Sequence, residues 1–315
     1  MSLSANASSE THSLEATVPV RIGAGSFATI YALPGRAIVS KVVHLQDHLA
    51  QIKHEYETLH NIHGTLCNTD SIFAIPRALA FFDPSAQELL YHPPSPHRGP
   101  LRQARSPFNT AFFADLPPRA CYVMDRVAPL PRSIAQLIRT SMYPPKASEL
   151  PTPLLGRLYF GKELRPSAFV NTSNFPIDVA RYRLLQDQSA DELSPIEEVA
   201  EGMGEMLSRI HWNAGYDARD VEFVLAGDIY SAAARLYIID FNQMQSFNKS
   251  HNDVTPLVEA FFSNDPYYPR PIPGDQLYQR FKQAYIRSCT LDHLPGANFF
   301  LREIENYQAT KTVTS

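Results

Sequence analysis

The stretch Tyr237-Ile238-Ile239-Asp240-Phe241-Asn242 follows, after a short interval, the run Glu222-Phe223-Val224-Leu225. Both runs are rich in β-branched and aromatic residues, which favour strands. The Gly227-Asp228 pair between them indicates a turn, so the two runs predict a β-hairpin that carries Asp240 on its end. One hairpin alone does not identify a fold. The elements that precede it in the chain decide which fold it belongs to.

The first part of the chain contains three such elements. Alternating apolar residues on either side of a glycine-containing turn in 21–31 predict a hairpin. A β-branched strand at 37–43 then carries Lys41, which needs an anionic partner if it is buried among apolar neighbours. Apolar residues at helical spacing next predict a helix that ends at Gly64, and Glu55 beside its apolar face is the natural partner of Lys41.

The middle of the chain contains a further strand and a long helix. The strand is predicted at 120–127 and is stopped by the prolines that follow it. The helix is predicted to open at Ser194, with Pro195 at its first position and Glu197 completing a capping box.

Asp217 and Glu222 follow this helix and are five positions apart. The same separation lies between the catalytic Asp and the metal-binding Asn of a kinase catalytic loop. Together with Lys41, Glu55 and Asp240, these residues stand in kinase order. The chain therefore resembles the protein kinase and aminoglycoside phosphotransferase superfamily over roughly residues 20 to 290.

This resemblance implies an α+β, protein-kinase-like two-lobed fold, with a small β-rich N-lobe that holds one long helix and a mostly helical C-lobe. A disordered N-terminal tail is expected at 1–18 and an N-lobe at 19–128, with a Pro- and Arg-rich insert at 93–118. The C-lobe is expected at 129–307, followed by a C-terminal tail at 308–315.

The sequence departs from the kinase pattern at several positions. Glu222 stands where Asn is expected, Asn242 replaces the glycine after Asp240-Phe241, and Ala28 replaces the third glycine of the loop. Gly215-Tyr216-Asp217 stands in place of His-Arg-Asp. The extra carboxylate disfavours binding of the ATP triphosphate unless a metal compensates for its charge.

A second, narrower resemblance involves His211-Trp212-Asn213-Ala214-Gly215 and Asp220-Val221-Glu222-Phe223-Val224-Leu225, together with 158–162 and 174–176. These segments are similar to a fungal kinase-like family of unknown function that includes the arginine-containing cyclodipeptide synthases. Such enzymes use aminoacyl-tRNAs to make cyclo-arginine-Xaa diketopiperazines. The resemblance thus implies arginyl-tRNA and a second aminoacyl-tRNA as partners, and no cofactor or metal.

Aminoacyl esters are already activated, so the reaction needs a positioned amine, a base and a donor to the oxyanion. Under this resemblance Asp217 is the candidate base, and Glu222 and Asp240 hold the arginine guanidinium or its α-amino group. The pair of Lys41 and Glu55 orders the N-lobe and offers a cation to the tRNA end. Four further residues are candidates for substrate binding, namely His211, Trp212, Asp220 and Asn242.

Three alternatives remain open at the level of sequence. In an ATP-dependent small-molecule phosphotransferase, Lys41 would grip phosphate, Asp240 and Glu222 would hold magnesium, and Asp217 would activate a hydroxyl. In a pseudokinase the same fold would bind a partner and catalyse nothing. In the third alternative the acidic residues are structural: Asp220 caps a turn, and Glu222 pairs with a nearby arginine such as Arg219 or Arg235.

Charge is distributed unevenly along the chain. The net charge is −4, yet residues 98–183 contain 13 Lys or Arg and 5 Asp or Glu, a balance of +8. The remaining 15 basic and 27 acidic residues give −12. Arg98, Arg102 and Arg105 in the insert are therefore candidate tRNA-binding residues, because neutralising phosphates supplies much of nucleic-acid affinity. The alternative is a surface loop that is basic without a partner.

Composition sets the remaining expectations. With 315 residues and 44% hydrophobic content, the chain is long enough for a two-lobed domain with a substantial core. Three widely spaced cysteines argue for a reducing compartment, and no apolar stretch reaches membrane-spanning length, so a cytoplasmic location is expected. His60, His63 and Cys67 have no second ligand pair with zinc spacing, so no metal site is predicted.

Overall fold

In the computed structural model, residues 18–66, 70–91 and 108–313 are described. Within these ranges the chain forms two β-sheets and seven α-helices, which confirms the α+β class. The strands are β1 (Val20–Ala24), β2 (Ala28–Ala32), β3 (Ile38–Val43), β4 (Phe73–Ala74), β5 (Ala78–Asp83), β6 (Glu88–Tyr91), β7 (Cys121–Asp125), β8 (Leu155–Tyr159), β9 (Asn174–Asp178), β10 (Glu222–Gly227) and β11 (Ala234–Ile239).

The helices lie mostly in the second half of the chain. A π-helical segment, Arg209–Ala214, continues directly from the fourth of them. The helices are α1 (Leu49–Leu66), α2 (Arg132–Met142), α3 (Val179–Gln188), α4 (Ile196–Ser208), α5 (Thr255–Ser263), α6 (Gln276–Arg287) and α7 (Leu294–Val313).

The first sheet has six antiparallel strands in the order β1-β2-β3-β7-β5-β6. The predicted hairpin around the glycine turn is present as β1 and β2, and the predicted strand that carries Lys41 is β3. Lys41 is placed opposite Ile30 of β2 and Tyr122 of β7, so it lies in the middle of the sheet. Strands therefore flank its backbone on both sides.

Helix α1 packs against β5 and β7 of the first sheet and buries its apolar side there. The helix passes through Gly64 and reaches Leu66, so the predicted end at Gly64 is wrong. Glycine ends a helix when it takes a left-handed conformation. Gly64 does not have a positive φ, whereas Gly35, Gly215 and Gly274 do.

The second sheet has the order β4-β11-β10-β8-β9. The predicted hairpin is confirmed as β10 and β11, in which Glu222 pairs with Ile239. Strand β8 runs antiparallel to β10 and parallel to β9. Asp240 follows β11 directly with φ at 64°, and Asp220 precedes β10 with φ at 60°. A left-handed conformation is unfavourable for residues other than glycine, so both ends of the hairpin hold strained backbone.

Helix α4 begins at Ile196 and not at Ser194, so the predicted capping box is wrong. Pro195 is the N-cap residue in an extended conformation, and no side chain caps the helix. The Ser194 carbonyl instead accepts a hydrogen bond from the Tyr182 hydroxyl at 2.9 Å. Glu197 therefore falls one position too early in the helix to close a capping box.

Parts of three predicted segments lie outside the described residues, namely 1–17 of the N-terminal tail, 93–107 of the insert and 314–315 of the C-terminal tail. Arg98, Arg102 and Arg105 fall in that part of the insert. The rest of the insert packs on the first sheet, where Phe113 stacks on Phe82 with 4.6 Å between ring centroids. Residues 308–313, assigned to a tail, continue α7. No helix in the described ranges is both long and apolar enough to cross a bilayer.

Candidate functional site

Lys41 and Glu55 form an ion pair in the interior of the first sheet and α1. Lys41 Nζ lies 2.6 Å from Glu55 Oε1, and the Tyr122 hydroxyl donates to the same oxygen at 3.0 Å. Glu55 is 1% exposed. The predicted pairing is therefore present, and the second donor fixes the carboxylate in place.

Asp240 connects this pair to the second sheet. Its Oδ1 atom lies 3.7 Å from Lys41 Nζ, and the Phe27 ring covers the same ammonium with its centroid 4.8 Å away. Burial alone would lower the pKa of Lys41, but the carboxylates of Glu55 and Asp240 outweigh it and raise that pKa. Lys41 is thus held charged between the carboxylate of Glu55 on α1 and that of Asp240 at the end of β11.

Glu222 begins β10 and pairs with an arginine from the neighbouring strand. Arg157 of β8 places Nη2 2.7 Å from Glu222 Oε1. The Asn174 amide oxygen accepts from Arg157 Nη2 at 2.7 Å and from Nε at 2.8 Å, which fixes the guanidinium plane. Burial raises the pKa of Glu222 to about 7, and the carboxylates of Asp240 and Asp220 add to the increase while Arg157 opposes it.

Asp220 lies beside these groups in the loop before β10. Its Oδ2 atom accepts a hydrogen bond from Gln243 Nε2 at 2.6 Å, and its backbone N–H donates to Asn264 Oδ1 at 2.7 Å. Burial and then the charge of Asp240 raise the pKa of Asp220. We define the acidic site as the carboxylates of Asp220, Glu222 and Asp240 together with the cations of Lys41 and Arg157.

Asp217 lies next to the acidic site, but its carboxylate is already bound by residues of the surrounding loops. It is 3% exposed, and its Oδ1 atom accepts backbone hydrogen bonds from Arg219 at 3.0 Å and from Gln245 at 2.9 Å. Arg219 Nε lies a further 3.4 Å from Oδ2. The carboxylate therefore holds two loop segments together.

His211 and Trp212 lie in the core and do not line the acidic site. Both are 1% exposed, and the hydroxyl of Tyr285 is 2.8 Å from His211 Nδ1 and from Trp212 Nε1. Because Trp212 donates to this hydroxyl, the hydroxyl proton is free to go to His211. Burial lowers the pKa of His211 to about 3, so the ring is neutral at physiological pH.

Asn242 follows the acidic site in the sequence and is half-buried. Its Oδ1 atom is buried and accepts no hydrogen bond from the described residues. A buried acceptor without a donor is unfavourable, and a ligand with an N–H or O–H group would relieve this cost.

The structure brings together Lys41, Glu55, Asp220, Glu222 and Asp240, and it adds residues that the sequence did not indicate. The structural alternative, in which Glu222 pairs with an arginine, is correct in kind, but Arg219 and Arg235 are not that arginine, because Arg219 lies against Asp217 and Arg235 against Asp228. The partner of Glu222 is Arg157, and Asn174 supports it.

A further group lies on the Arg157 side of the site. The hydroxyl of Tyr159 donates to Asp265 Oδ2 at 3.2 Å and is 3.4 Å from Arg157 Nη1. The ring of Tyr267 stacks on Tyr159 at 5.3 Å. The signal in the sequence was the segment 158–162 together with 174–176, which flanks these residues without assigning them a role.

Two findings bear on metal binding. No group of three or more His, Cys, Asp or Glu residues in the described ranges is arranged to hold a metal ion. The family model DUF3669, whose description reads zinc finger protein, matches residues 236–291. That segment contains one cysteine, Cys289, and one histidine, His251, whereas a zinc finger uses four ligands of these types. A comparison with curated proteins finds no match.

Proposed function

We propose that the protein is an arginine-containing cyclodipeptide synthase with a protein-kinase-like, two-lobed fold. It condenses arginine from arginyl-tRNA with an amino acid from a second aminoacyl-tRNA. The first sheet with α1 forms the N-lobe, and the second sheet with the remaining helices forms the C-lobe. The contact of Lys41 with both Glu55 and Asp240 supports this arrangement, because kinases join their lobes through the same three residue types.

The charge of the acidic site supports a cationic substrate. Lys41 and Arg157 supply two positive charges, while Asp220, Glu222 and Asp240 supply three negative charges when they are ionised. The excess negative charge favours a ligand with a guanidinium or ammonium group. Arginine attached to tRNA carries both, and a carboxylate can bind a guanidinium through two parallel hydrogen bonds.

The mechanism rests on the placement of Glu222, which is buried beside Arg157 at 2.7 Å and whose pKa burial raises to about 7. A general base works best when its pKa lies near the working pH. Glu222 replaces Asp217 in this role, because the Asp217 carboxylate is tied to two backbone amides. Asp220 and Asp240 then hold the cationic groups of the substrate.

The reaction needs no ATP, because each amino acid arrives as an ester. Glu222 takes a proton from the α-ammonium group of one amino acid, and the free amine attacks the ester carbonyl of the other. An amide bond forms, the ester bond breaks, and the first tRNA leaves with its terminal hydroxyl restored. The amine of the amino acid that has left its tRNA then attacks the remaining ester in the same way. This step closes the ring and releases the second tRNA.

The rival is an ATP- and magnesium-dependent phosphotransferase, which the contact between Lys41 and Asp240 also favours. Its weakness is Glu222, which would have to bind magnesium together with Asp240. The Arg157 guanidinium already occupies Glu222 at 2.7 Å, and a fixed cation beside a metal site repels the metal. A pseudokinase would use the same groups for binding alone.

The test supplies the purified protein with arginyl-tRNA and a second aminoacyl-tRNA, without ATP, and searches for cyclo-arginine dipeptides by mass spectrometry. The wild type is expected to make them, and Glu222→Gln is expected to lose them. Glu88→Gln is the matched control, because Glu88 of β6 pairs with Lys53 of α1 and lies outside the acidic site. A wild type that makes no product but transfers labelled phosphate from Mg-ATP would establish the rival instead.

A further inference from the structure

The loop between β8 and β9, residues 160–173, begins and ends at residues of the candidate site. Before it, Tyr159 contacts Arg157 and Asp265. After it, the Asn174 amide accepts from Arg157. Anything bound along this loop is therefore held at the edge of the acidic site.

The loop and its surroundings carry cations that lack acidic partners. Lys162 Nζ lies 4.4 Å from the Tyr159 ring centroid, and Arg165 is exposed. Arg181, in the first turn of α3, lies 5.3 Å from the Phe175 ring. Among the residues that the structure describes, none of these three cations forms an ion pair. Cations without an ion-pair partner favour an anionic ligand.

The loop that carries Lys162 and Arg165 is connected to Arg181 through Asp178, the N-cap residue of α3. The backbone N–H of Leu164 donates to Asp178 Oδ2 at 2.7 Å, and the N–H of Arg181 donates to Asp178 Oδ1 at 2.9 Å. The loop therefore sits on the start of α3, close to Arg181. We call Lys162, Arg165, Arg181 and Phe169 the basic loop surface.

Phe169 is the aromatic member of this surface and is 80% exposed. Exposure of a phenylalanine ring to water is unfavourable, and a base stacked on the ring would remove this cost. Single-stranded nucleic acid presents a chain of phosphates together with flat bases, and proteins bind it with cations next to aromatic rings. The basic loop surface has both.

We propose that the basic loop surface binds the unpaired 3′ end of tRNA, with phosphates against Lys162, Arg165 and Arg181 and a terminal base stacked on Phe169. This inference rests on the proposed function, since it places the aminoacyl ester beside the acidic site. It assigns the tRNA contact to the loop between β8 and β9, whose two ends adjoin the acidic site, in addition to the arginines predicted in the insert.

The first test measures binding of 5′-labelled tRNA by fluorescence anisotropy over a range of salt concentrations. The variant Lys162→Ser with Arg165→Ser is expected to bind more weakly, and the slope of log affinity against log salt should fall by about 2. The control is Arg280→Ser with Arg287→Ser, which removes the same charge from α6, where both arginines pair with Glu201. Equal effects in the two variants would overturn the proposal.

The second test separates stacking from charge. Phe169→Ala is expected to bind intact tRNA about ten-fold more weakly and to bind tRNA trimmed of its unpaired 3′ nucleotides as the wild type does. Tyr230→Ala is the control, since Tyr230 is 78% exposed in the loop between β10 and β11. A Phe169→Ala variant with unchanged affinity for intact tRNA would contradict the stacking contact.

A third arm offers vesicles of phosphatidylserine and phosphatidylcholine, because cations beside an aromatic ring also suit an anionic membrane. Binding to vesicles but not to tRNA would overturn the proposal. The outcomes also separate this inference from the proposed function. If the protein binds tRNA at this surface but makes no cyclodipeptide, only the proposed function is contradicted. If it makes product and both variants bind tRNA as the wild type does, only the proposed tRNA-binding surface is contradicted.

Discussion

Lys41 and Glu55 bury opposite charges in a place where neither could remain alone. The side chains are 12% and 2% exposed, and the Tyr122 hydroxyl is the only further donor that the described residues give to Glu55. Removing one partner of a buried ion pair leaves an uncompensated charge, which costs more than the pair itself contributes. The pair therefore makes the first sheet depend on both residues at once.

Lys41→Met is expected to destabilise the protein by about 3 kcal/mol, because the Glu55 carboxylate loses its counterion in the interior. Adding Glu55→Gln should recover part of this loss, since the neutral amide still accepts from Tyr122. Urea unfolding of the two single variants and the double variant measures the interaction. Losses that simply add would show that the two charges do not stabilise each other.

His211 gives the protein a dependence on pH that does not involve catalysis. Its pKa falls from 6.5 to about 3 on folding, because burial disfavours the charged ring. The unfolded chain therefore binds a proton below pH 6.5 that the folded chain does not, and the stability that depends on neutral His211 is lost as the pH falls. Between pH 7.5 and 5.0 this amounts to about 2 kcal/mol.

His211→Asn keeps an acceptor for the Tyr285 hydroxyl but cannot titrate. The free energy of unfolding of the wild type is expected to fall by about 2 kcal/mol more than that of the variant over this pH interval. Urea titrations at several pH values provide the measurement. Parallel curves for the two proteins would mean that His211 is protonated in the folded state.

The pH profile of product formation tests the role of Glu222. Because a base must be deprotonated, kcat/KM should rise with pH through about 7, the pKa of Glu222. The Arg157 charge opposes the increase in this pKa, so Arg157→Met should move the rising limb to higher pH. Arg157→Lys keeps the charge and should leave the limb near its wild-type position. A limb that stays fixed in Arg157→Met would belong to another group, such as the substrate amine.

Two ion pairs show what a sequence can indicate at the residue scale. The pair of Lys41 and Glu55 was predictable, because a buried lysine on a strand and a glutamate beside an apolar helix face are local features. The contact of Glu222 with Arg157 was not, because it depends on β8 lying next to β10 in the sheet. In the sequence, Arg157 was recognisable only as one of the basic residues of the segment 98–183.

At the scale of elements, α4 and α6 pack tightly at Gly204. A Cβ atom added at Gly204 would collide with the backbone of Phe281, whereas one added at Gly202 would meet mainly the side chain of Ile72. A side chain can turn away, but the backbone of a packed helix cannot. Glycine at 204 therefore permits this packing in spite of its low helix propensity.

Gly204→Ala is expected to destabilise the protein by about 1–3 kcal/mol, because it forces α4 and α6 apart. Gly202→Ala on the same helix should cost less, since Ile72 can move. Thermal or urea unfolding of both variants compares them directly. Alanine is the better helix former, so a Gly204→Ala variant more stable than the wild type would show that propensity outweighs the contact.

Elements with a strong local pattern were predicted and those that depend on distant pairing were not. The two hairpins and the Lys41 strand follow from alternation and turn residues, and they are present as expected. The parallel pairing of β8 with β9 was missed, since parallel strands carry no turn signal between them. The end of α1 and the start of α4 were misplaced because glycine and serine were given cap roles that the backbone conformations do not allow.

At the scale of the whole molecule, the two sheets share one core. A single cluster of buried side chains includes Ile52 and Ile62 of α1 together with Phe223 and Phe241 beside the second sheet. Helix α1 also packs against the π-helical segment, and His54 Nε2 lies 3.1 Å from the Met244 carbonyl oxygen. The lobe boundary predicted at 128–129 therefore does not divide this cluster into two.

One core predicts one unfolding transition. Trp212 is the only tryptophan and is buried in the helical half of the molecule, while far-UV circular dichroism reports on both halves. The two signals should change together with urea, as a cooperative unit requires. Ile62→Ala removes a fully buried side chain from α1 and should shift both transitions by the same 2–5 kcal/mol. Separate transitions, or a Trp212 signal unaffected by Ile62→Ala, would mean that the sheets unfold independently and that α1 belongs to the first sheet alone.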